Sequence, residues 1–176
     1  MLPHNIPTAR LLLRVPVPED EFELFNSYAQ DPEVVRYLTW KPSKTPVDSK
    51  RHIEDRILAW RRGSICAWSI IQSENDRFIG MIELRIKGKV ASVGYVLARA
   101  MWGNGYATEA LNAIICAGFT LPQIVKVTGI FDVDNIASIR VMKKAGMVQE
   151  GVLRRHMVHP NISHEPRDVY SFAVTK

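Results

Sequence analysis

The chain has 176 residues, 47% of them hydrophobic and 23% charged, and a formal net charge of +5. This composition excludes the disordered, collagen-like and disulfide-stapled classes. The longest strongly apolar run, residues 113–117, is far shorter than the about 20 residues of a membrane helix. The first ten residues, MLPHNIPTAR, hold prolines where a signal peptide needs an apolar stretch. We expect one cytoplasmic domain over residues 1–176, without membrane contact.

The positive charge is dispersed, because no run of basic residues exceeds two. A direct nucleic-acid interface is therefore not expected, and an anionic ligand is only mildly favoured. Cys66 and Cys116 lie in different apolar segments without a CxxC motif, which predicts reduced packing thiols.

The amino-terminal half predicts one strand followed by two helices. Residues 8–15 form a β-rich segment that ends at Pro16 and Pro18. After Asp20, apolar residues recur at helical spacing, and breaks follow at residues 31–32 and 41–46. Residues 47–62 predict the second helix. The inward residues expected of these helices are Phe22, Phe25, Tyr28, Ala29, Ile53, Ile57 and Trp60.

The remaining residues predict a strand meander and then alternating elements. Strands are expected at residues 65–71, 78–86, 90–97, 124–131, 148–158 and 169–174. One helix follows residue 106 and ends before Pro122. A second is capped by Asn135, points Ile136, Ile139 and Met142 inward, and stops at Gly146. The order β-α-α-β-β-β-α-β-α-β-β predicts an α/β domain on a mostly antiparallel sheet.

The loop WGNGYA, residues 102–107, joins a predicted strand to a predicted helix. Its two glycines allow backbone N–H groups to approach a ligand, and the helix amino terminus adds about half a positive charge. That arrangement suits a pyrophosphate. It is neither a Walker loop, which needs GK[ST], nor a dinucleotide fingerprint, which needs a parallel βαβ unit. By itself, a plain turn explains it more often than a phosphate site.

Two motifs together resemble those of the GNAT acetyltransferases. The first resembles the acetyl-CoA loop and reads Gly103-x-Gly105-x-Ala107-Thr108-Glu109-Ala110, after a Gly94-Tyr95-x-Leu97 strand. The second resembles the RimJ/RimL branch, which acetylates protein amino termini and related amines. It reads Asn135-x-x-Ser138-x-x-Val141-x-x-Lys144-x-Gly146-Met147-x-x-Glu150-Gly151-x-Leu153-Arg154. The resemblance covers essentially the whole chain and is strongest over residues 79–154.

The resemblance implies the GNAT fold, a mixed and mostly antiparallel sheet flanked by helices with a splayed central strand pair. The pantetheine arm of acetyl-CoA then lies between the strand of Tyr95, Val96 and Leu97 and the strand of residues 130–132. The pyrophosphate is held by backbone amides of Trp102, Gly103, Asn104, Gly105, Tyr106 and Ala107. Asn135 is expected to bond the pantetheine arm, and a plain helix cap is its alternative role.

The catalytic residues are less well defined by the same resemblance. Many GNAT enzymes protonate the leaving thiolate with a tyrosine, but the matching position here is Met142, which cannot donate. Ser138, one turn earlier, is the expected substitute, with an inert first-turn hydroxyl as the alternative. Glu83 is the candidate general base, although a solvated strand carboxylate is at least as common; Asp168 and Glu165 are weaker candidates.

The expected reaction is direct attack of a primary amine on acetyl-CoA in a ternary complex, most simply by a protein N-terminal α-amine. The alternatives are a small-molecule amine (an antibiotic, polyamine or amino acid) and a non-catalytic CoA-binding domain. Tyr37 and Trp40 are candidate aromatic walls of the acceptor pocket, with core packing as the alternative. The sequence leaves monomer and homodimer open.

The histidines do not predict a metal site. His156, His159 and His164 lie in a strand-to-loop region, where a spacing of three does not bring side chains together.

Overall fold

A computed structural model describes residues 1–63 and 65–176 of the chain. Its strands form one eight-stranded sheet in the order β1-β2-β3-β4-β5-β6-β8-β7. The strands are β1 Asn5–Pro7, β2 Leu11–Arg14, β3 Ile65–Gln72, β4 Arg77–Lys87, β5 Val90–Leu97, β6 Lys126–Asp132, β7 Val148–Met157 and β8 Arg167–Thr175. Neighbours pair antiparallel except β5 and β6, which are parallel. The predicted α/β fold on a mostly antiparallel sheet is confirmed.

The helices are α1 Asp20–Leu24, α2 Pro32–Val35, α3 Pro46–Arg61, α4 Tyr106–Phe119 and α5 Ile136–Lys144, and a π-helical turn, Phe25–Ala29, continues α1. Among the described residues, side chains cap α2, α3 and α5 but not α1 or α4. At the start of α3, Thr45 and Asp48 form a capping box. Asn135 caps α5, accepting from the Ser138 N–H at 3.1 Å, as predicted. None of the described helices has the length and apolarity needed to cross a membrane.

One prediction for the amino-terminal half is wrong in detail. Residues 8–15 are not one strand, because Thr8 makes backbone and side-chain hydrogen bonds with Leu11 and turns the chain between β1 and β2. The predicted break at residues 31–32 does end the first helical stretch, and the short helix α2, which was not predicted, begins there. The Asp31 carboxylate caps α2 by accepting from the Glu33 N–H at 3.0 Å.

Two residues predicted to face inward are exposed. Phe22 is 58% exposed because the π-helical turn after α1 directs Leu24, Tyr28 and Ala29 to the sheet instead. Ile136 is 51% exposed because Ile139 and Met142, further along α5, supply the packed face of that helix.

The sheet is covered on both faces, and its central strands contribute side chains to two separate cores. On β4, Ile82 and Leu84 join the core beneath α4 and α5. Met81 joins the core beneath α1 and α3. On β5, Tyr95 packs against the first core and Val96 against the second. This alternation places consecutive residues of β5 on opposite sides of the sheet.

The parallel pair β5–β6 separates part-way along its length. Pairing covers only Val90–Lys126, Ala91–Val127 and Ser92–Thr128. Beyond it, β5 continues along β4 to Leu97, and β6 continues along β8 to Asp132. The splayed strand pair expected from the resemblance is therefore confirmed.

A bulge in β4 accompanies this separation. Gly80 pairs with Ile70 and Phe78 with Ile71, which leaves Ile79 as an extra residue. The Ile79 carbonyl accepts from the Ala98 N–H at 2.9 Å, just past the end of β5. Because a bulge bends its strand and increases the local twist, it turns the end of β5 away from β6.

Gly80 allows β5 to approach the bulge. A Cβ there would overlap the Val96 carbonyl oxygen and crowd Leu97. We predict that Gly80→Ala lowers the free energy of unfolding by about 1–3 kcal/mol. At Gly151 a Cβ meets no described atom within 4 Å, so Gly151→Ala should stay within about 0.5 kcal/mol of the parent. Urea unfolding of both variants measures this difference, and equal stabilities would contradict it.

Candidate active site

The splay leaves facing backbone edges on β5 and β6. Tyr95, Val96 and Leu97 lie on the free part of β5, across from Ile130 to Asp132 on β6. Because no strand fills this gap, its backbone groups can hydrogen-bond an extended guest, as an added strand would. The gap therefore matches the place predicted for a pantetheine arm.

The loop after β5 leads into α4 with both glycines in the left-handed region. Gly103 has φ +79° and Gly105 has φ +81°. Gly105 is the N-cap of α4, and no side chain of the described residues caps it. The N–H groups of this first turn are thus left without a side-chain cap among the described residues, and their binding of a pyrophosphate stays a prediction.

Side chains within the loop and at its edges hold its shape. The Asn104 amide donates to the carbonyls of Met101 and Trp102 at 3.3 and 3.1 Å. The Trp102 indole donates to the Leu97 carbonyl at 2.9 Å, while its side chain stays 47% exposed. Tyr106 and Ala107 begin α4, so all six predicted loop residues lie together at its amino terminus.

Arg10 is a loop contact that sequence reasoning missed. Its guanidinium donates to the Asn104 carbonyl at 3.0 Å, lies 4.6 Å from the Tyr106 ring centroid, and pairs with Glu109 at 2.7 Å. Burial raises the pKa of Glu109, but hydrogen bonds from Thr8 and Arg10 outweigh this and lower it overall. Arg10 thus holds the loop through hydrogen bonds, while its charge is paired with that of Glu109. No local signal reveals it, because its partners are more than ninety residues away.

The first turn of α5 brings Asn135 and Ser138 to the splayed strands. The side-chain amide oxygen of Asn135 is used in the helix cap. Ser138 is partly exposed, and its hydroxyl neighbours that of Tyr95 on β5. Burial raises the pKa of Tyr95 above its ordinary value, and the Ser138 hydroxyl opposes this only in part.

Met142 lies one turn further along α5 and is fully buried. Its sulfur would be 3.3 Å from a Cβ built on Gly129 of β6, so the side chain packs directly on the sheet. A thioether has no proton to give. The position of the usual GNAT tyrosine therefore fills the core here.

Glu83 faces the opposite side of the sheet, beneath α3. Its carboxylate pairs with Arg56 at 2.9 Å and also with Arg85. The side chain is 15% exposed. Two guanidiniums therefore share the carboxylate proposed as a base. The weaker candidates lie on the β7–β8 hairpin, where Asp168 accepts from the Arg155 N–H at 2.8 Å and Glu165 pairs with Arg155 at 2.9 Å.

The two predicted acceptor residues lie in different surroundings. Trp40 lines a cavity of about 330 Å³, with its ring 5.9 Å from that of His52 on α3. The cavity is also lined by Leu24, Lys41, Pro42, Ser43, Lys44 and Asp48. Trp40 and Leu24 belong to the same core as Val96, so the cavity opens on that face of the sheet. Tyr37 is not among its lining residues; its hydroxyl donates to the Asp134 carbonyl at 3.2 Å.

A cluster of charged side chains around the buried Asp132 holds the end of β6. Arg167 donates to Asp132 at 2.6 and 3.1 Å and to Asp134 at 2.6 Å. His159, only 2% exposed, has its Nε2 3.6 Å from the Asp132 carboxylate and its ring beside Tyr37. Burial lowers the pKa of His159, and the Asp132 charge opposes that effect. His156 and His164 are exposed and lie apart from it. Sequence spacing did not reveal this cluster, because its members come from three segments.

Comparison with known proteins identifies the family. The Acetyltransferase (GNAT) domain family matches residues 10–148. The uncharacterized N-acetyltransferase p20 of Bacillus licheniformis is 31% identical over 176 residues, which covers 96% of this chain and 94% of p20.

Solved structures share the fold at lower identity. The ribosomal L7/L12 alpha-N-protein acetyltransferase RimL, in complex with coenzyme A, has a TM-score of 0.87 and 21% identity over 97% of each chain. The microcin self-immunity acetyltransferase MccE, in complex with acetyl-CoA and AMP, has a TM-score of 0.86 and 21% identity over 96% of this chain and 93% of that one. The open strand edges and the uncapped loop fit such a ligand. The chain therefore belongs to the GNAT acetyltransferase family and is an N-acetyltransferase that uses acetyl-CoA as its co-substrate.

Proposed function

We propose that the acceptor is the α-amino group of a protein amino terminus, which attacks the acetyl group directly in a ternary complex. The observation that carries this proposal is the state of Glu83. Its carboxylate already forms ion pairs with Arg56 and Arg85, so it is poorly placed to remove a proton from a strongly basic amine. Its role as the base stays a prediction.

An α-amine and a lysine amine differ in the free energy needed to deprotonate them at pH 7. An α-amino group has a pKa near 7.8, so freeing it at pH 7 costs about 1 kcal/mol. A lysine amine with a pKa near 10.4 costs about 4.6 kcal/mol. A site whose candidate carboxylate is occupied by two cations therefore suits the α-amine. The likeness to RimL supports the same choice, whereas the likeness to MccE keeps a small-molecule acceptor as the competing function.

The free edge of β5 and the loop that follows it supply the proposed acetyl-CoA site. Tyr95, Val96 and Leu97 offer backbone groups to the pantetheine arm, and an N–H near Val96 or Leu97 polarises the acetyl carbonyl. The amides of residues 102–107 hold the pyrophosphate, and Asn135 contacts the arm.

Direct attack needs no nucleophilic side chain. Cys66 is buried on β3, and burial raises the pKa of its thiol, which lowers its thiolate fraction. Cys116 is exposed on α4, away from the splayed edge. These placements favour a ternary complex over a covalent acyl-enzyme. The Trp40 cavity, on the face of the sheet that carries Val96, is the proposed entrance for the acceptor.

A matched acceptor screen tests the proposed substrate class. We expect peptides with a free α-amine to release the coenzyme A thiol faster than N-terminally blocked peptides that offer only lysine. At low peptide concentration, the rate should rise with pH and level off near the α-amine pKa of about 7.8. Thiol release is followed by absorbance of a disulfide reagent. Turnover of lysine or small amines alone would contradict this proposal, as would acetyl-CoA binding without turnover of any amine.

The loop prediction concerns Gly105. Gly105→Glu should raise the acetyl-CoA dissociation constant at least about tenfold, since a side chain strains this left-handed residue and adds negative charge to the loop proposed to hold the pyrophosphate. The new Cβ would lie 3.5 Å from the Arg10 guanidinium, so the added carboxylate also competes for Arg10 with Glu109 and the Asn104 carbonyl. Gly88→Glu is the matched control. Gly88 also has positive φ (+61°) but lies in the β4–β5 hairpin, at the other end of β5. Calorimetry on folded variants measures the affinities, and equal affinity for both would show that the loop is only a turn.

We predict that variants of Ser138 and Asn135, at the start of α5, affect different steps, the first catalysis and the second binding. Ser138→Ala should lower kcat about tenfold to a hundredfold by removing one hydrogen bond to the departing thiolate, with acetyl-CoA affinity nearly unchanged. Asn135→Ala should weaken binding and, by removing the helix cap, lower stability by about 1 kcal/mol. Steady-state kinetics and thermal melts distinguish the two. If Ser138→Ala turned over as fast as the parent, the Ser138 hydroxyl would have no part in thiolate release.

A further inference from the structure

The hydroxyl of Tyr95 is buried without a hydrogen bond. Within residues 1–63 and 65–176 it has no partner of acceptable geometry, and it is shielded from solvent. A buried unpaired hydroxyl costs about 1–3 kcal/mol, so it calls for a physical explanation. Phenylalanine would fill the same core space without that cost. The oxygen therefore points to a function that packing does not require.

The position of Tyr95 indicates what that function is. It lies on the unpaired part of β5, and its ring packs on Phe131 across the splay at 5.7 Å between centroids. The ring is on the α4–α5 side of the sheet, whereas the next residue, Val96, packs on the other side. Tyr95 packs in the same core as Ile139 and Met142, which follow Ser138 on α5. The Ser138 hydroxyl is near enough to act on the pKa of Tyr95 as a hydrogen-bonding neighbour. Rotation of the serine side chain would complete a hydrogen bond between the two.

Ser138 differs from Tyr95 in accessibility. Its side chain is partly exposed at the splay, so it can meet a ligand there, while the tyrosine oxygen is enclosed behind it. The Asn135 cap engages the Ser138 backbone N–H, and the side-chain hydroxyl turns about its own bond independently of that cap. Met142, further along the helix, is buried and cannot donate.

We propose that the Tyr95 hydroxyl donates a hydrogen bond to Ser138 and thereby directs the Ser138 proton at the sulfur of the departing coenzyme A thiolate. Tyr95 is then a positioning residue, and this proposal rests on the proposed role of Ser138. Burial keeps the tyrosine protonated by raising its pKa, so it remains a donor at any working pH. A hydroxyl that accepts one hydrogen bond also becomes a better donor to the next group.

The reaction step balances without an additional reagent. The amine nitrogen forms a bond to the acetyl carbon, and the carbon–sulfur bond breaks with its electron pair going to sulfur. The amine proton leaves to water. The sulfur departs as a thiolate that the Ser138 hydroxyl holds by a hydrogen bond, and it takes a proton from solvent on release. Both hydroxyls keep their own protons.

The pKa of the coenzyme A thiol bound to the enzyme tests the proposal without any acceptor. Ultraviolet absorbance of the thiolate is titrated in the binary complex of the full chain. Tyr95→Phe should raise the pKa of the bound thiol by about one, a tenfold loss of thiolate at a given pH. Ser138→Ala should raise it at least as much, and the double variant no further, because both act through one hydrogen bond to sulfur. Ser138→Thr, which keeps a hydroxyl, should restore most of the parental value.

Tyr28→Phe is the matched control. Tyr28 is also buried with an unpaired hydroxyl, but it packs beneath α1 and α3 on the other face of the sheet. It should leave the pKa of the bound thiol unchanged. Thermal melts and calorimetry with coenzyme A confirm that each variant folds and binds, which is expected because both substitutions remove one oxygen and keep the aromatic ring that fills the core. A parental thiol pKa in Tyr95→Phe, or additive effects in the double variant, would overturn the proposal. Neither result depends on which amine is acetylated.

Discussion

The strands β5 and β6 are paired only as far as Ser92 and Thr128, and the open cleft exists because they separate there. Two parallel strands that stayed paired would leave no backbone groups for a ligand. The bulge at Ile79 bends β4, and β5 follows it because Gly80 permits close contact with Val96. On the other side of the gap, Arg167 and Asp132 fix the end of β6. The cleft is thus held open from both strands.

The turn of the β1–β2 hairpin also holds the loop before α4. Thr8 and Arg10 both bond to Glu109 in the first turn of that helix, at 2.7 and 2.8 Å. Glycines at positive φ are conformationally free in an unfolded chain, so a loop built on Gly103 and Gly105 needs outside support to keep one shape. The hydrogen bonds of Thr8 and Arg10 provide that support, and the Arg10 guanidinium lies beside the loop. The shape of the loop therefore depends on contacts with the β1–β2 hairpin at the edge of the sheet.

The two faces of the sheet carry different kinds of side chain near the splay. On the α4–α5 side, the groups near the splay are neutral hydroxyls, Ser138 and Tyr95, which suit a developing thiolate. On the α1–α3 side, Glu83 pairs with two arginines and the Trp40 cavity opens beside His52. Because consecutive residues of β5 point to opposite faces, leaving group and acceptor can approach the same strand from different sides. A single strand, β5, can therefore contact both the leaving group and the acceptor.

The sequence by itself determined the local elements and the loop. Alternation, glycine positions and the Asn135 cap predicted the strand meander, the amino terminus of α4 and the start of α5, since each depends on neighbours within a few residues. The turn at Thr8 is also local, because Thr8 bonds to Leu11, but the apolar residues after it predicted one strand. The exposure of Phe22 and the ion pair of Glu83 with Arg56 came only from the tertiary structure. So did the contact of Arg10 with Asn104 and that of Tyr95 with Ser138. These contacts join segments 27 to 99 residues apart, such as Arg56 with Glu83 or Arg10 with Glu109. Strand register and helix placement decide them, and no local spacing in the chain encodes either one.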